Sequence, residues 1–275
     1  MWSKVKTRLV SAVVLIALLL AILFFTPVWA FSLLVCALTF MVMYELTKVF
    51  GLSAKPTICV ANFLFAAGFM ALGFLNNELI GKLIFPLGIL YIMTLTILSV
   101  LNNKKVKFTD VCSSVFLVVY SVAFLMHLTL IRRLDNGVAL LFMALIGAYV
   151  TDTGAYFTGL AIGKHKLIPS VSPNKTVEGS AGGMLAAVVG FVIYGVIMQN
   201  LGHSVNYLYL IILALICSVI SQFGDLAASV MKRSFEVKDF GNLIPGHGGM
   251  VDRVDSLMFV APVVYYFITF LPVVW

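Results

Sequence analysis

Two acidic residues of the sequence lie inside long apolar runs, where an isolated charge is costly. Asp152 falls within residues 137–161, and Asp225 falls within residues 205–228. A carboxylate at membrane depth costs a few kcal/mol on insertion scales, so it marks a functional site by default. The alternative interpretation is a structural hydrogen bond, or a position close to the cytoplasmic end of a helix. We therefore treat both residues as candidates for chemistry.

A polar stripe continues along the chain from Asp225. Ser229 and Lys232 follow at i+4 and i+7, which puts them on the same helical face, and Arg233 comes directly after. A Lys-Arg pair at a helix end often only extends toward the membrane interface. That interpretation explains the two basic residues but not Asp225. The spacing therefore predicts an acid, a hydroxyl and a base along one face that leaves the membrane.

The segment 238–255 is dense in glycine and charge. Gly248 and Gly249 allow the backbone to come close to a ligand. Backbone N–H groups that open onto a helix start can form an anion site. Asp252 and Asp255 are spaced i, i+3, so both can face one way on that helix. Carboxylates from two segments together with Lys and Arg are the parts of a Mg²⁺–polyphosphate site, whereas a simple polar turn capped by Asp252 needs only one acid.

A second polar segment precedes the apolar run at 178–199. Lys175 and Thr176 lie just before the expected helix start, a position that suits phosphate contact. Gly179 and Gly183 form a small-xxx-small pair, which lets a neighbouring helix pack closely. The sequence thus offers two polar segments, each at the end of an apolar run.

The composition indicates the solvent in which these residues must be positioned. Of the 275 residues, 62% are hydrophobic and only 11% are charged, whereas a soluble domain is about half apolar and about a quarter charged. The surplus apolar surface predicts a lipid environment. The net charge of +7 lies on basic residues scattered between apolar runs. No contiguous basic stripe exists, so we exclude a nucleic-acid partner.

Apolar runs between polar breaks predict an all-α integral membrane protein with about nine transmembrane helices, since one crossing takes about 20 residues. The runs are 8–25, 28–47, 57–75, 79–101, 108–131, 137–161, 178–199, 205–228 and 256–275. With the N-terminus in the cytoplasm and the C-terminus outside, 15 of the 18 Lys and Arg residues fall on the inner side. The positive-inside rule favours this orientation. Lys82, Arg132 and Arg133 remain outside.

The polar residues are unevenly distributed along the chain. We expect residues 1–105 to be transmembrane scaffold, because they carry few polar groups. We expect residues 106–275 to be the catalytic region, with cytoplasmic loops at 163–178 and 229–255. Long and chemically diverse loops are usually the ones that carry function.

The polar segments resemble the signature of the phosphatidate cytidylyltransferases, the CDP-diacylglycerol synthases. The longer match is Ser229-x-Met231-Lys232-Arg233-x₄-Lys238-Asp239-x-Gly241-x₂-Ile244-Pro245-x-His247-Gly248-Gly249-Met250-x-Asp252-Arg253-Val254-Asp255. The shorter match is Ser172-Pro173-x-Lys175-Thr176-x-Glu178-Gly179. By motif the resemblance covers about the C-terminal half of the chain.

This resemblance implies an activity and its requirements. Enzymes of that family join CTP and phosphatidate to give CDP-diacylglycerol and pyrophosphate, a step of phospholipid biosynthesis. They need Mg²⁺, and the family also suggests a monovalent cation such as K⁺. The resemblance further implies a homodimer in the cell membrane, surrounded by membrane lipids, with its active site open to the cytoplasm.

The resemblance and the residue chemistry together give a set of expected site residues. Catalytic roles are expected for Lys175, Asp225, Lys232, Arg233 and Asp252, of which Asp225 and Asp252 bind the metal. Substrate or phosphate contacts are expected from Ser172, Asn174, Thr176, Ser229, Lys238, Asp239, His247, Gly248, Gly249, Arg253 and Asp255. Supporting roles are expected for Asp152 and Glu178.

Two other functions remain open from the sequence. An ion-coupled transporter could use Asp152 and Asp225 as relays, although it would place polar residues through the full depth of several spans, and the outer halves here are nearly all apolar. A CTP-dependent enzyme with a polyprenol or archaeal lipid acceptor would have a similar nucleotide half. Only assays with different lipids separate that enzyme from the one that the resemblance implies.

Overall fold

The computed structural model describes residues 22–75, 77–241 and 248–274. Eight helices of 17 residues or more lie within these ranges: α1 (Val28–Val49), α2 (Pro56–Leu72), α3 (Asn77–Leu101), α4 (Phe108–Arg132), α5 (Gly137–Ile162), α6 (Val177–Asn200), α7 (Tyr207–Ser234) and α8 (Val251–Phe270). Two of them contain a π-helical turn, at Val119–Ala123 in α4 and at Ile146–Val150 in α5.

The helices have the lengths and surfaces that a bilayer requires. Within the described ranges, seven are long and apolar enough to cross a membrane, and α2 is a shorter apolar helix. Large apolar side chains are exposed on the surface, among them Leu64 at 68%, Phe85 at 77% and Leu160 at 74% exposure. Such a surface is incompatible with water but suited to lipid. The prediction of an all-α, multi-pass integral membrane protein is therefore confirmed.

The helix positions follow the apolar runs of the sequence. Eight of the nine predicted spans coincide with helices in the described part of the chain, whereas the first, 8–25, lies mostly outside it. The number of crossings and the sides on which the termini lie stay predictions.

The polar segments contain more regular structure than the sequence predicted. Instead of a loop throughout 163–178, strand β1 (Lys166–Ile168) pairs antiparallel with β2 (Ser172–Thr176). The loop predicted at 229–255 is helical at both ends, since α7 continues to Ser234 and α8 begins at Val251. These loops were predicted too long because polar residues on a helix that leaves the membrane resemble loop residues.

The chain forms two compact units. The first comprises the chain up to Thr129 together with Asp239–Val251, and the second comprises Leu130–Lys238 together with the chain from Asp252 onward. The boundary differs from the division after residue 105 that the distribution of polar residues suggested. The functional assignment of the two parts stays a prediction.

Buried polar contacts hold the first unit together. The Tyr91 hydroxyl donates to Asn62 Oδ1 and lies within hydrogen-bond distance of the Ser114 carbonyl, and the Asn62 amide donates to Ser114 Oγ at 3.0 Å. Lys55 forms an ion pair with Asp110, which also accepts the Lys107 N–H at the start of α4. Because buried polar groups are costly unless paired, these contacts fix the packing of α2, α3 and α4.

Glycines allow α5 and α6 of the second unit to pack at close range. A Cβ on Gly182 would lie 2.2 Å from Thr158 Oγ1, and one on Gly183 would lie 2.8 Å from the Thr151 carbonyl oxygen. A Cβ on Gly179 would meet the Ala155 carbonyl at 2.8 Å. The small-xxx-small spacing of Gly179 and Gly183 thus marks a close helix contact, as expected. We call this contact the glycine seam.

Candidate active site

Lys175 and Asp225 form the first of two lysine–carboxylate pairs in the second unit. Lys175 lies on β2, one residue before the Thr176 cap of α6, and Asp225 lies in α7. The Lys175 Nζ is 2.6 Å from Asp225 Oδ2, and the two side chains are 24% and 33% exposed. The hydroxyl of Ser229, one turn further along α7, lies 3.5 Å from the other carboxylate oxygen. The predicted face of α7 therefore carries its acid and its hydroxyl together.

Lys232 and Asp252 form the second pair. The Lys232 Nζ donates to Asp252 Oδ1 at 2.7 Å, and the side chains are only 19% and 11% exposed. Lys232 is in the last turns of α7, and Asp252 is the second residue of α8. Both pairs are therefore more sheltered from water than an ordinary surface ion pair. Together they bring four of the five predicted catalytic residues into two contacts.

Asp152 joins three helices through hydroxyl groups. The Ser221 hydroxyl of α7 lies 3.3 Å from Asp152 Oδ1 and equally far from the Ala148 carbonyl in the π-helical turn of α5. The side chain of Ser256 in α8 also lies close to Asp152, and its hydroxyl donates to the Ser221 carbonyl at 3.2 Å. The sequence did not single out Ser256, although its spacing of i+4 from Asp252 could have indicated it. Asp152 thus contacts hydroxyl groups of the neighbouring helices, and the supporting role expected for it stays a prediction.

Asp255 is buried one turn further into α8. It is 8% exposed, and its carboxylate accepts the backbone N–H of Ser256 at 2.8 Å. Asp255 and Asp152 both lie within electrostatic range of Asp225. The backbone of α8 approaches α7 here, since a Cβ on Gly224 would lie 2.8 Å from the Asp255 carbonyl oxygen. Asp255 therefore places a further carboxyl group close to Asp225, in a position sheltered from solvent.

Arg233 contacts a backbone carbonyl through its side chain, whereas Arg253 contributes its own backbone carbonyl. Arg233 Nε donates to the Val171 carbonyl in the turn of the hairpin, at 3.4 Å. The carbonyl of Arg253 accepts the Tyr149 hydroxyl at 3.3 Å. Arg233 therefore connects the end of α7 to the segment that carries Lys175.

Glu178 and Thr176 shape the hairpin and the start of α6. The Glu178 carboxylate accepts the backbone N–H groups of Lys164 and His165 and lies 2.6 Å from His165 Nδ1. Thr176 is buried, and its hydroxyl accepts the Gly179 N–H as the cap of α6. Both contacts fix the backbone next to Lys175, and the supporting role expected for Glu178 stays a prediction.

The other predicted contact residues are placed as follows. Ser172 is half-buried on β2 and Asn174 is exposed there, while Lys238 and Asp239 are both exposed. Gly248 has φ +78, which requires the conformational freedom expected of it. Gly248 and Gly249 belong to the first unit. His247 lies outside the described residues.

The donor set fits a magnesium ion bound together with substrate. In the described ranges no group of three His, Cys, Asp or Glu residues is arranged to hold a metal by itself. Mg²⁺ usually takes only one or two protein carboxylates and completes its shell with phosphate oxygens and water. Asp225 and Asp252 supply hard oxygen atoms of that kind, each next to a lysine. The site can therefore offer oxygen ligands to a cation and ammonium groups to phosphates.

Comparison with known proteins gives consistent matches. The chain matches the Cytidylyltransferase family over residues 6–271. It is 47% identical to the phosphatidate cytidylyltransferase of Bacillus subtilis over 137 residues, half of each chain. It is 39% identical to that of Staphylococcus saprophyticus over 164 residues, 60% of this chain and 61% of the relative. It is 36% identical to the phosphatidate cytidylyltransferase of Thermotoga maritima over 184 residues, which make up 66% of this chain and 67% of the relative.

The matched stretches cover about half to two thirds of the length of these relatives. The family match is broader, since it runs through almost the whole chain and includes both lysine–carboxylate pairs. The chain therefore belongs to the cytidylyltransferase family.

Proposed function

We propose that this protein is a nucleotidyltransferase that converts CTP and phosphatidate into CDP-diacylglycerol and pyrophosphate. The observation that carries the proposal is the pair of contacts Lys175–Asp225 and Lys232–Asp252 near the cytoplasmic end predicted for α7. Membership of the cytidylyltransferase family and the names of the relatives support the choice of nucleotide and lipid. The product would serve phospholipid biosynthesis.

The proposed reaction requires little acid–base catalysis from the protein. A phosphate oxygen of phosphatidate, already anionic, forms a bond to the α-phosphorus of CTP. The bond from that phosphorus to the bridging oxygen of the β-phosphate breaks, and pyrophosphate leaves with the electron pair. No strong general base is required, so catalysis consists of positioning the two anions and neutralising their charge.

The basic residues and the carboxylates of the site have different roles in this reaction. Lys175 and Lys232 bind phosphate oxygens of the two substrates, and Arg233, Lys238 and Arg253 add positive charge. Asp225 and Asp252 would hold Mg²⁺. The metal, when bound, withdraws charge from the phosphates. The resemblance also suggests a monovalent cation such as K⁺ as a further requirement.

We further propose the setting in which the enzyme acts. The positive-inside count supports a site that faces the cytoplasm, in the cell membrane. The lipid substrate then enters from the bilayer and CTP from the cytoplasm. The family resemblance supports a homodimer as the working assembly.

Turnover by purified protein in detergent tests the proposal. The protein is given Mg²⁺, phosphatidate and each of the four nucleoside triphosphates in turn, while pyrophosphate release and the lipid product are measured. We expect release with CTP or dCTP that requires phosphatidate, and its loss when the divalent metal is chelated. Parallel reactions with Na⁺ in place of K⁺ test the monovalent cation.

Two other results would change the assignment. Pyrophosphate release with a polyprenyl phosphate or an ether-lipid phosphate, but none with phosphatidate, would retain the nucleotide and replace the acceptor. Absence of release with every nucleotide, from protein shown to be folded by its melting curve, would contradict the proposed reaction.

A further inference from the structure

Glu45 is a buried carboxylate that the proposed mechanism does not use. It lies in α1 of the first unit and is 1% exposed. Its Oε1 accepts the backbone N–H of Met250, and its Oε2 accepts that of Val251, both at 2.9 Å. These two N–H groups stand at the start of α8, where helix geometry leaves them without a partner inside the helix. Glu45 therefore caps α8 from a position 206 residues away in sequence.

The chemistry of this contact requires a carboxylate. Two N–H donors converge on one side chain, and only a carboxylate presents two acceptor oxygens to them. Its negative charge is also favourable at a helix N-terminus. A glutamine would offer one acceptor and turn its NH₂ group toward the other donor. Glu45 is thus suited to hold both residues at once.

Glu45 also lies against the backbone of Gly241, ten residues before the start of α8. A Cβ on Gly241 would lie 2.5 Å from Glu45 Oε1 and 2.8 Å from its Cδ. The absence of a side chain at Gly241 is what allows the backbone to pass against the carboxylate. One buried residue therefore binds the N–H groups of Met250 and Val251 and lies against the backbone of Gly241.

We propose that Glu45 is a positioning residue for Asp252. Asp252 directly follows Val251, so a change in where α8 begins moves its carboxylate. Misplacement of a reacting group by about 1 Å can cost on the order of 10²-fold in rate, even when the substituted residue is remote from the chemistry. The effect on catalysis rests on the proposed function, whereas the effect on the backbone does not.

Hydrogen–deuterium exchange of the substrate-free protein tests the backbone part. Glu45→Gln keeps the size of the side chain and removes one acceptor, whereas Glu45→Asp keeps both acceptors on a shorter chain. Asp110→Asn is the matched control, because Asp110 is also a buried carboxylate that holds a helix start in the same unit. We expect the amides of Met250 and Val251 to exchange about tenfold faster or more in Glu45→Gln, less so in Glu45→Asp, and unchanged in Asp110→Asn.

Activity measurements test the positioning part. We expect Glu45→Gln to lower kcat on the order of 10²-fold and to raise the Mg²⁺ concentration for half-maximal rate, with partial recovery in Glu45→Asp. Unchanged exchange at Met250 and Val251, or an equal increase in Asp110→Asn, would overturn the proposal. Faster exchange with unaltered kcat and Mg²⁺ requirement would overturn the link to Asp252. If the wild-type protein proved inactive with CTP and phosphatidate, only the proposed function would fail, and exchange would still decide the role of Glu45.

Discussion

At the scale of single residues, the site consists of carboxylates that each hold a lysine. Asp225 and Asp252 are partly sheltered, and each places one oxygen within 2.7 Å of an ammonium group. In the proposed reaction the same carboxylates hold the metal and the same lysines hold phosphates. Binding of the substrates would therefore exchange the partners within each pair.

Removal of the negative charge of either Asp225 or Asp252 should abolish most turnover. We expect Asp225→Asn and Asp252→Asn to lower kcat on the order of 10²- to 10³-fold, because an amide cannot replace the charge that holds the metal. The measurement is CTP-dependent pyrophosphate release at several Mg²⁺ concentrations, with melting curves as a test of folding. Asp135→Asn, in an exposed turn, is the control and should keep wild-type activity. Near-normal Mg²⁺-dependent rates in the first two variants would contradict the metal role.

The Lys175–Asp225 pair should also be visible in stability. A double-mutant cycle with Lys175→Met and Asp225→Asn should give a coupling of about 0.5–1 kcal/mol in the free energy of unfolding, since the pair is about one-quarter to one-third exposed. The control is the pair Lys82–Glu78 in α3, whose side chains are 67% and 74% exposed. Its coupling should be smaller, about 0.2–0.5 kcal/mol. Equal couplings would mean that the site pair is no more than a surface contact.

Residue type and context were enough to find some site residues but not others. Asp225 was visible as a charge within an apolar run, and the spacing to Ser229 was confirmed on α7. Glu45 has the same signal, an acid at the end of an apolar run, yet it could be explained as an interfacial residue. Its contacts with Met250 and Val251 connect distant parts of the chain, and no local pattern encodes such a contact.

At the scale of elements, the glycine seam sets the distance between α5 and α6. Gly183 approaches the backbone of α5, whose carbonyl oxygen at Thr151 cannot move without disturbing the helix. Lys175 lies on the strand that leads into α6. The separation of the two helices therefore affects where Lys175 is held.

Enlargement of one seam residue should destabilise the protein. We expect Gly183→Ala to lower the free energy of unfolding by about 1–3 kcal/mol, because the added methyl group would overlap backbone atoms. Gly88→Ala in α3 is the control, as nothing lies within 4 Å of its Cβ position. That variant should be neutral or slightly more stable, given the higher helix propensity of alanine. Thermal and SDS-induced unfolding would measure both, and similar losses would contradict close packing as the cause.

The elements could be predicted from hydrophobicity only where they are long and apolar. Each of the eight long helices coincides with an apolar run, because a span must bury its backbone polar groups and face lipid with apolar side chains. The β-hairpin was missed, since strands of three and five residues with a proline at position 173 give no periodic pattern. The π-helical turn of α5 was also missed. Its Ala148 carbonyl accepts a hydrogen bond from the Ser221 hydroxyl of α7, a contact between distant residues that no local pattern encodes.

At the scale of the whole molecule, the predicted orientation in the membrane rests on the distribution of basic residues rather than on helix packing. The positive-inside rule assigns the connection near Lys104 to the cytoplasm and the one near Ser204 to the outside. Both positions are exposed in the structure.

Labelling with a membrane-impermeant maleimide tests this orientation. In a background from which the four native cysteines are removed, Ser204→Cys should react in intact cells. Lys104→Cys should react only after the membrane is opened. Detection of the opposite pattern would reverse the orientation, and equal labelling of both positions would contradict an odd number of spans between them.

The β-hairpin of residues 166–176 also limits how deep the site can lie. Backbone outside a helix cannot face hydrocarbon, and Lys166 and Asn174 on this hairpin are exposed. The hairpin therefore belongs among lipid headgroups or in water, and Lys175 holds Asp225 near that level. The 28 residues of α7 exceed the about 20 needed to cross the acyl layer, so its last turns can extend there. In the proposed reaction, a lipid phosphate would reach Lys175 without leaving its own leaflet.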